Sequence, residues 1–243
     1  MCISHIRIVS VIKPITHPNP EVSVAIPTLP KNDYEPPEPL RNQSFNAYEV
    51  VVISDAELNR CEARNKGMEA AEADIIAQTD DDCIPPETWV GDIYKKFNNN
   101  PELVLVESTL DKHQVPPRNY PGANLAYRKD LALDIGGFDS ELDGWRADTD
   151  FGWRMEIEYS LERCQQDTRL EVKHQGPLRT SVDREIERKF RARYPKRYFT
   201  VLDHPHSIVS KHTGKIAAAA YSFFPRFTEN LIRVFQARVR THL

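Results

Sequence analysis

A-D-I-I-A-Q-T-D-D-D-C-I-P-P, residues 73–86, is the stretch from which the fold prediction starts. Its apolar run is typical of a buried strand, and the proline pair ends that strand and begins a helix. Three consecutive carboxylates at the end of a strand repel one another unless a cation lies among them, and such oxygen ligands suit Mg²⁺ or Mn²⁺. Open α/β sheets bind ligands at the carboxyl ends of their strands. The stretch therefore predicts a metal and phosphate site, with a solvated acidic turn as the alternative.

Two apolar segments earlier in the chain, 22–26 and 48–53, predict neighbouring strands, and 57–71 has the spacing of a helix. Strands and helices that alternate this closely imply a parallel sheet with right-handed crossovers. The same patterns predict an edge strand at 6–12, a short helix at 40–45, strands at 103–106 and 169–173, and helices at 86–97, 129–135, 147–159, 184–197 and 228–239. The segment 122–128 is expected to lead into the helix at 129–135.

The composition is that of a soluble protein, with 243 residues, 40% of them hydrophobic and 28% charged. The net charge of −4 gives no global argument for nucleic-acid binding. No apolar run approaches the roughly 18 residues of a membrane span, and Arg7 and Lys13 interrupt the N-terminal apolar stretch, so no signal peptide is expected. Widely spaced cysteines predict reduced thiols of a cytoplasmic protein rather than disulfides or a zinc site; they are Cys2, Cys61, Cys83 and Cys164.

Seven stretches, taken in order, resemble the family 2 glycosyltransferases, which have the GT-A fold. They are V-S-V-A-I-P-T (22–28), E-V-V-V-I-S-D (49–55), A-R-N-K-G (63–67), D-I-I-A-Q-T-D-D-D-C (74–83), G-A-N-L-A-Y-R (122–128), G-G-F-D (136–139) and A-D-T-D-F-G-W-R (147–154). The resemblance implies an α/β fold with a Rossmann-like, mostly parallel sheet flanked by helices. We expect an arm at 1–20, a GT-A domain at 21–200 and a helical tail at 201–243. Within the domain, 21–107 is the predicted nucleotide-binding half and 108–200 the acceptor half.

The resemblance also implies an activity, the inverting transfer of a sugar from a nucleotide-diphosphate donor to an acceptor hydroxyl. UDP is the default carrier, with GDP and dTDP behind it, and the acceptor is expected to be a glycan or a lipid-linked glycan. Two departures from the family pattern, Ser54-Asp55-Ala56 and Leu29-Pro30, lie near the expected base and ribose pocket.

Site residues follow from the matching motifs. The expected donor contacts come from the ends of the first strands, the first helix and the acidic triplet: Pro27, Thr28, Asp55, Arg64, Asp80 and Asp81. The expected ligands of Mn²⁺ or Mg²⁺ are Asp80, Asp82 and His174. The register across three identical acids stays open. Ordinary alternatives are a turn aspartate for Asp55, a solvent-facing arginine for Arg64 and a core histidine for His174.

The resemblance places the catalytic base at Asp148. A helix N-terminus there favours an ionised carboxylate, which a general base needs near neutral pH. Asp150 is the weaker candidate, because Arg154 is its i+4 neighbour and predicts a salt bridge. Gly122, Asn124 and Trp145 are the expected acceptor contacts, with core packing as the alternative use of Trp145.

Other uses of the chain stay open. The basic cluster at 184–197 and the C-terminal amphipathic helix suggest peripheral contact with the inner face of a membrane, with a solvated face or a homodimer contact as alternatives. A catalytically inactive protein that binds a nucleotide sugar or glycan is the main functional alternative. A phosphohydrolase of the haloacid dehalogenase type fits poorly, because two βα units precede the acids. A nucleotidyltransferase fits poorly because Pro27-Thr28-Leu29-Pro30 is not a Gly-rich loop.

Overall fold

A computed structural model describes residues 10–111, 117–177 and 182–202, together with Ala219 and Phe223. The chain divides into two compact units between Asp183 and Arg184. The predicted domain bounds stay predictions. No helix in the described ranges is long and apolar enough to cross a bilayer.

A seven-stranded sheet forms the centre of the first unit, with strand order β1-β3-β2-β4-β7-β6-β8. The strands are β1 (Ser10–Ile15), β2 (Val22–Thr28), β3 (Tyr48–Ser54), β4 (Ile75–Thr79), β6 (Leu105–Glu107), β7 (Asn124–Arg128) and β8 (Cys164–Gln166). Five of these strands run in one direction, because only β1 and β7 pair antiparallel to their neighbours. This confirms the predicted mostly parallel α/β sheet. The short strands β5 (Cys83–Ile84) and β9 (Lys173–His174) form a separate antiparallel pair.

Helices follow the strands as the alternation predicts. They are α1 (Glu38–Arg41), α2 (Arg60–Ala70), α3 (Trp89–Asn98), α4 (Lys129–Asp134), α5 (Ala147–Tyr159), α6 (Arg184–Arg193) and α7 (Pro195–Arg197). α2 begins at a capping box, in which the Asn59 side chain accepts from the Glu62 N–H and the Glu62 carboxylate accepts from the Asn59 N–H. This cap fixes the N-terminal turn of α2, the turn that carries Arg60 and Arg64 towards the end of the sheet.

The largest apolar core lies between the sheet and α3. Trp89, Ile93 and Phe97 pack there against alternate side chains of β2, β3 and β4, and all three are at most 1% exposed. Val51, Ile53 and Ala63 form a smaller cluster on the side of α2. Apolar side chains on both faces explain why β2 and β3 are continuous apolar runs rather than alternating ones. The three cysteines that are described are buried and unpaired, as predicted: Cys61, Cys83 and Cys164.

Two strand predictions need correction. The strand predicted at 169–173 is wrong, because Thr168–Leu170 forms a 3₁₀ turn and only Lys173–His174 pairs as a strand. The segment expected to lead into α4 is itself the central strand β7, which pairs antiparallel with both β4 and β6. Its apolar residues gave no sign of strand direction. The predicted edge strand exists as β1, shifted to Ser10–Ile15, whereas residues 6–9 and the helix predicted at 228–239 lie outside the described residues.

The second unit is described from Arg184 to Leu202. In α6 the Glu187 carboxylate accepts a hydrogen bond from the Tyr198 hydroxyl at 2.6 Å, and the Arg191 guanidinium lies 4.8 Å from the centre of the Tyr198 ring. These contacts connect α6 to the turn that follows α7. α6 and α7 confirm the helix predicted at 184–197, whereas the helical tail predicted at 201–243 lies almost entirely outside the described residues and stays a prediction.

Candidate active site

The three consecutive aspartates after β4 bind three different partners. Asp80 Oδ1 lies 3.0 Å from Arg64 Nη2, Asp81 Oδ2 accepts from Thr28 Oγ1 at 2.5 Å, and Asp82 Oδ1 lies 3.5 Å from His174 Nε2. A turn closed by the Cys83 N–H on the Asp80 carbonyl directs the carboxylates apart. Divergence in space therefore relieves much of the repulsion that the sequence suggested a cation would relieve.

Arg64 joins Asp80 to Asp148 across the site. Its guanidinium contacts Asp148 Oδ1 through Nη1, its side chain is 2% exposed, and it lies 5.3 Å from the centre of the Phe138 ring. Burial by itself would raise the pKa of Asp80, but the charges of Arg64 and Arg60 and the hydrogen bond from Arg64 together hold that pKa below its usual value. The buried Arg64 guanidinium thus has two carboxylate partners, Asp80 and Asp148, as a buried arginine requires.

Gly122 completes this arrangement. Its N–H donates to Asp148 Oδ2 at 3.1 Å, and its carbonyl accepts from Gln78 Nε2 at 2.7 Å. A Cβ at this position would lie 2.5 Å from both Asp148 and Arg64, so only glycine allows the close approach. The Gly122 N–H fixes one oxygen of Asp148 while Arg64 holds the other.

A cavity of about 240 Å³ opens beside these residues. Arg64, Asp80, Trp145 and Asp148 line it together with residues 119–123. Arg146, at the N-terminus of α5, stacks on Trp145 with its guanidinium carbon 5.2 Å from the ring centre. The cavity therefore has charged groups of both signs beside an aromatic face, which suits a polar ligand of sugar size.

The predicted donor residues at the ends of β2 and β3 lie side by side. Thr28 pairs with Ser54 in the parallel ladder, so Asp55 follows at the same edge of the sheet. Asp55 Oδ1 accepts from the Glu57 N–H at 2.8 Å. This contact is typical of a turn aspartate, the alternative role of Asp55. Pro27 lies in the same strand as Thr28, next to Ile53. Asn32, which the motifs did not single out, donates to Asp81 at 2.7 Å.

Asp82 and His174 form the part of the acidic region that fits a metal ion. β5 pairs with β9 so that Cys83 lies opposite His174, and this ladder brings ligand atoms of Asp82, Cys83 and His174 within 4.8 Å of one another. A Cβ on Gly176 would lie 2.0 Å from Asp82 Oδ2, so a glycine is needed beside the carboxylate. A carboxylate and an imidazole suit a borderline cation such as Mn²⁺. Asp80 stands outside this group, because its carboxylate is paired with Arg64.

The acceptor predictions divide in the same way. Gly122 and Trp145 line the cavity, but the Asn124 side chain is bound in the core. Asn124 Nδ2 donates to the carbonyls of Thr109 and Leu170, and Oδ1 accepts from Trp89 Nε1 at 3.2 Å. With 2% exposure and every side-chain polar atom used, Asn124 supports β7 rather than a ligand. Its position within a recognised motif gave no signal that would distinguish the two roles.

Asp150 has the structural role predicted for it. It is fully buried on α5 and its Oδ2 lies 2.7 Å from Arg154 Nε, which confirms the expected salt bridge. Of the two acids in the first turn of α5, Asp148 is the one that lines the cavity.

Comparison with known proteins agrees with this architecture. Residues 55–139 match the family model described as glycosyl transferase family 2. This range contains Asp55, Arg64 and the acidic triplet, but it ends before Asp148 and His174. A curated relative, the glucosyl-dolichyl phosphate glucuronosyltransferase of Haloferax volcanii, is 25% identical over an alignment that covers 40% of this chain and 40% of that protein. The chain thus spans less than half of that relative's length.

Solved structures show the same fold. TarS of S. aureus superposes with a TM-score of 0.58 at 15% identity, covering 84% of this chain and 44% of that one. Glucosyl-3-phosphoglycerate synthase of Mycobacterium tuberculosis, crystallised with Mn²⁺, UDP-glucose and phosphoglyceric acid, superposes with a TM-score of 0.52 at 15% identity. That superposition covers 65% of this chain and 73% of the synthase. The segment 55–139 is therefore similar to the family 2 glycosyltransferases, and the chain shares the fold of these solved structures.

Proposed function

We propose that this protein transfers a sugar from a nucleotide-diphosphate donor, UDP-sugar by default, to an acceptor hydroxyl with inversion at the anomeric carbon. The observation that carries the proposal is the Asp80–Arg64–Asp148 chain at the carboxyl edge of the sheet, beside a cavity of sugar size. In the proposal Asp148 is the base, Arg64 is the cation beside it, and Asp80 is a carboxylate on the donor side.

In this proposal Asp148 is the general base. Its Oδ2 is held by the Gly122 N–H and its other oxygen by Arg64, so the carboxylate is fixed in one orientation before a substrate arrives. The acceptor hydroxyl gives its proton to Asp148 while the hydroxyl oxygen forms a bond to the anomeric carbon and the bond to the diphosphate breaks. A single displacement needs no covalent sugar intermediate and so no second carboxylate nucleophile.

The donor contacts are proposed along the neighbouring strand ends. Pro27, Thr28 and Asp55 border the nucleoside side, and Asp80, Asp81 and Arg64 lie towards the diphosphate and sugar. Asp82 and His174 would hold Mn²⁺ or Mg²⁺, which when bound neutralises charge on the departing diphosphate. Asp80, the third ligand predicted, is paired with Arg64 and lies outside the Asp82–His174 group, so its contact with the ion stays a prediction.

The acceptor proposal draws on Gly122, Trp145 and the charge of the second unit. The Haloferax relative is named for glucosyl-dolichyl phosphate, and a lipid-linked acceptor of that kind would bring this chain to a membrane surface. α6 has five basic and two acidic residues, which suits peripheral contact with anionic lipid. Cytoplasmic location and a homodimer stay predictions of the sequence.

Turnover tests the proposal. The intact chain is incubated with Mn²⁺ and a panel of UDP-sugars, and released UDP is measured with water alone, with a soluble oligosaccharide, or with glucosyl-dolichyl phosphate in anionic vesicles. We expect UDP release from one donor, stimulated most by the vesicles, with chain recovered in the vesicle pellet. UDP that binds without release from any donor would instead support the inactive binding protein. Stimulation by the oligosaccharide alone would remove the lipid-linked acceptor.

A further inference from the structure

A second group of buried charges lies behind the cavity and does not take part in the proposed chemistry. Glu107 at the end of β6 is 2% exposed, and Glu156 on α5 has a fully buried side chain. Arg118 pairs with Glu156 through Nε at 2.8 Å and Nη2 at 2.5 Å, and the Tyr120 hydroxyl donates to Glu156 at 2.6 Å. Buried carboxylates are retained only where they are paired or hydrogen-bonded, so this group calls for an explanation.

The Glu107 carboxylate binds backbone rather than a cation. Its two oxygens accept from the N–H groups of Arg118 and Tyr120, the latter at 2.8 Å. Arg118 and Tyr120 have φ values of +68° and +52°, which side chains of this size seldom adopt. Backbone that alternates in this way points successive N–H groups to one side and forms a concave anion site. The two oxygens of Glu107 thus hold residues 118–120 in a strained conformation.

The strained segment is also held against α5, the helix that carries the proposed base. Trp153 Nε1 donates to the Arg118 carbonyl at 2.9 Å, and Thr149 Oγ1 donates to the Asn119 carbonyl at 2.8 Å. The ring of Tyr120 lies where a Cβ on Gly152 would be, only 2.1 Å away. Residues 119–123 line the cavity, and among them Gly122 donates its N–H to Asp148.

We propose that Glu107 is a positioning residue, whose carboxylate fixes residues 118–122 against α5 so that Gly122 and Asn119 meet Asp148 and Arg146 in a reactive arrangement. Asn119 Oδ1 accepts from Arg146 Nη1 at 3.2 Å, so both ends of the cavity wall depend on this segment. The inference rests on the proposed transfer, because positioning has a purpose only if Asp148 acts as a base. Glu156 supports it by holding Arg118 and Tyr120 from the other side.

The buried surroundings of Glu107 and the neighbouring charge of Glu156 disfavour the ionised form of its carboxyl group. Burial, with the neighbouring Glu156 charge, raises the pKa of Glu107 to about 7, against backbone hydrogen bonds that lower it. The other groups nearby are Tyr120, the Arg118 guanidinium bound to Glu156, and Cys164 on β8, a thiol whose pKa burial raises to about 12. The folded protein therefore keeps the proton on Glu107 up to about pH 7, whereas the unfolded chain loses it near pH 4.5. Stability falls as pH rises through that window, because the unfolded chain has already released this proton.

Glu107→Gln separates positioning from simple structural support. The amide keeps one acceptor and turns a donor towards the second N–H, so we expect kcat for UDP release to fall about tenfold or more. KM for the UDP-sugar and the affinity for UDP should stay within about twofold of the wild type. At pH 8 the melting temperature should not fall, since the variant removes a buried charge beside Glu156. From pH 5 to pH 8, the melting temperature of the variant minus that of the wild type should increase. Glu158→Gln, exposed on α5, is the matched control.

Amide resonances give a test that needs no turnover. In the wild type, the Arg118 and Tyr120 amide protons should shift together with pH at a midpoint near that of Glu107, and the shift should vanish in Glu107→Gln. Wild-type kcat in the variant, or amides that do not titrate with Glu107, would overturn the proposal. If the melting temperature and kcat of the variant both fell at every pH, Glu107 would be only a structural support, and this result too would overturn the proposal. If neither the wild type nor the variant released UDP while the amides still titrated, the proposed transfer would be wrong. Only the contact between Glu107 and the backbone of Arg118 and Tyr120 would then be established.

Discussion

Asp148→Asn should abolish sugar transfer while leaving the donor site intact. Asparagine keeps the volume and can still accept the Gly122 N–H, but it cannot take the acceptor's proton. General-base catalysis contributes about 10²- to 10⁴-fold, so we expect UDP release to fall by that range. Affinity for UDP should change little, because Asp80 continues to pair with Arg64 at 3.0 Å. The measurement is UDP release over time, with UDP affinity determined by calorimetry on the same preparation.

Asp130→Asn is the matched control for that variant. Asp130 also lies in the first turn of a helix, α4, but it is exposed and does not line the cavity. It should retain wild-type turnover. Full activity in Asp148→Asn would exclude Asp148 as the base. If UDP binding and turnover were weakened to the same extent, Asp148 would instead serve to hold Arg64 in place.

Asp82→Ala should remove the metal dependence of nucleotide binding. The β5–β9 pair brings Asp82 and His174 together, so alanine takes away one of the two proposed ligands. Loss of groups that merely orient a ligand typically costs 10- to 100-fold in metal affinity, so loss of a ligand itself should weaken Mn²⁺-dependent UDP binding by at least about 100-fold. UDP binding is measured by calorimetry across a Mn²⁺ titration.

Two comparisons make the Asp82 result specific. Asp92→Ala, on α3 in an exposed pair with Lys95, should behave as the wild type. His174→Ala should weaken the Mn²⁺ response in the same direction as Asp82→Ala. An Asp82→Ala protein that still binds UDP only in the presence of Mn²⁺ would refute the assignment.

The buried parallel strands β2, β3 and β4 and the donor edge could be predicted from the sequence because they follow from local patterns. Continuous apolar runs at β2, β3 and β4 marked buried parallel strands, and polar residues at their ends had to meet at one edge. The i+4 relation of Asp150 and Arg154 likewise fixed their salt bridge before any tertiary contact was known.

The remaining features depend on contacts between residues far apart in the chain. The acidic triplet gives no register by itself, and the partners that separate its members are Thr28, Arg64 and His174. Asn124 belongs to the core only because Trp89, Thr109 and Leu170 surround it. Glu107 acquires its role from positive φ angles at Arg118 and Tyr120, which no spacing of residue types reveals.

The most direct test of the central claim is a melting-temperature panel of the intact chain with UDP, GDP, dTDP and CMP, each with Mn²⁺ and with EDTA. A nucleotide at 100 times its Kd stabilises a protein by about 2.7 kcal/mol, which for a chain of this size corresponds to about 5 to 11 °C. We predict such a shift for one diphosphate, UDP by default, with Mn²⁺ and not with EDTA. No shift with any nucleotide, or equal shifts with Mn²⁺ and EDTA, would contradict a metal-dependent donor site at the carboxyl edge of this sheet.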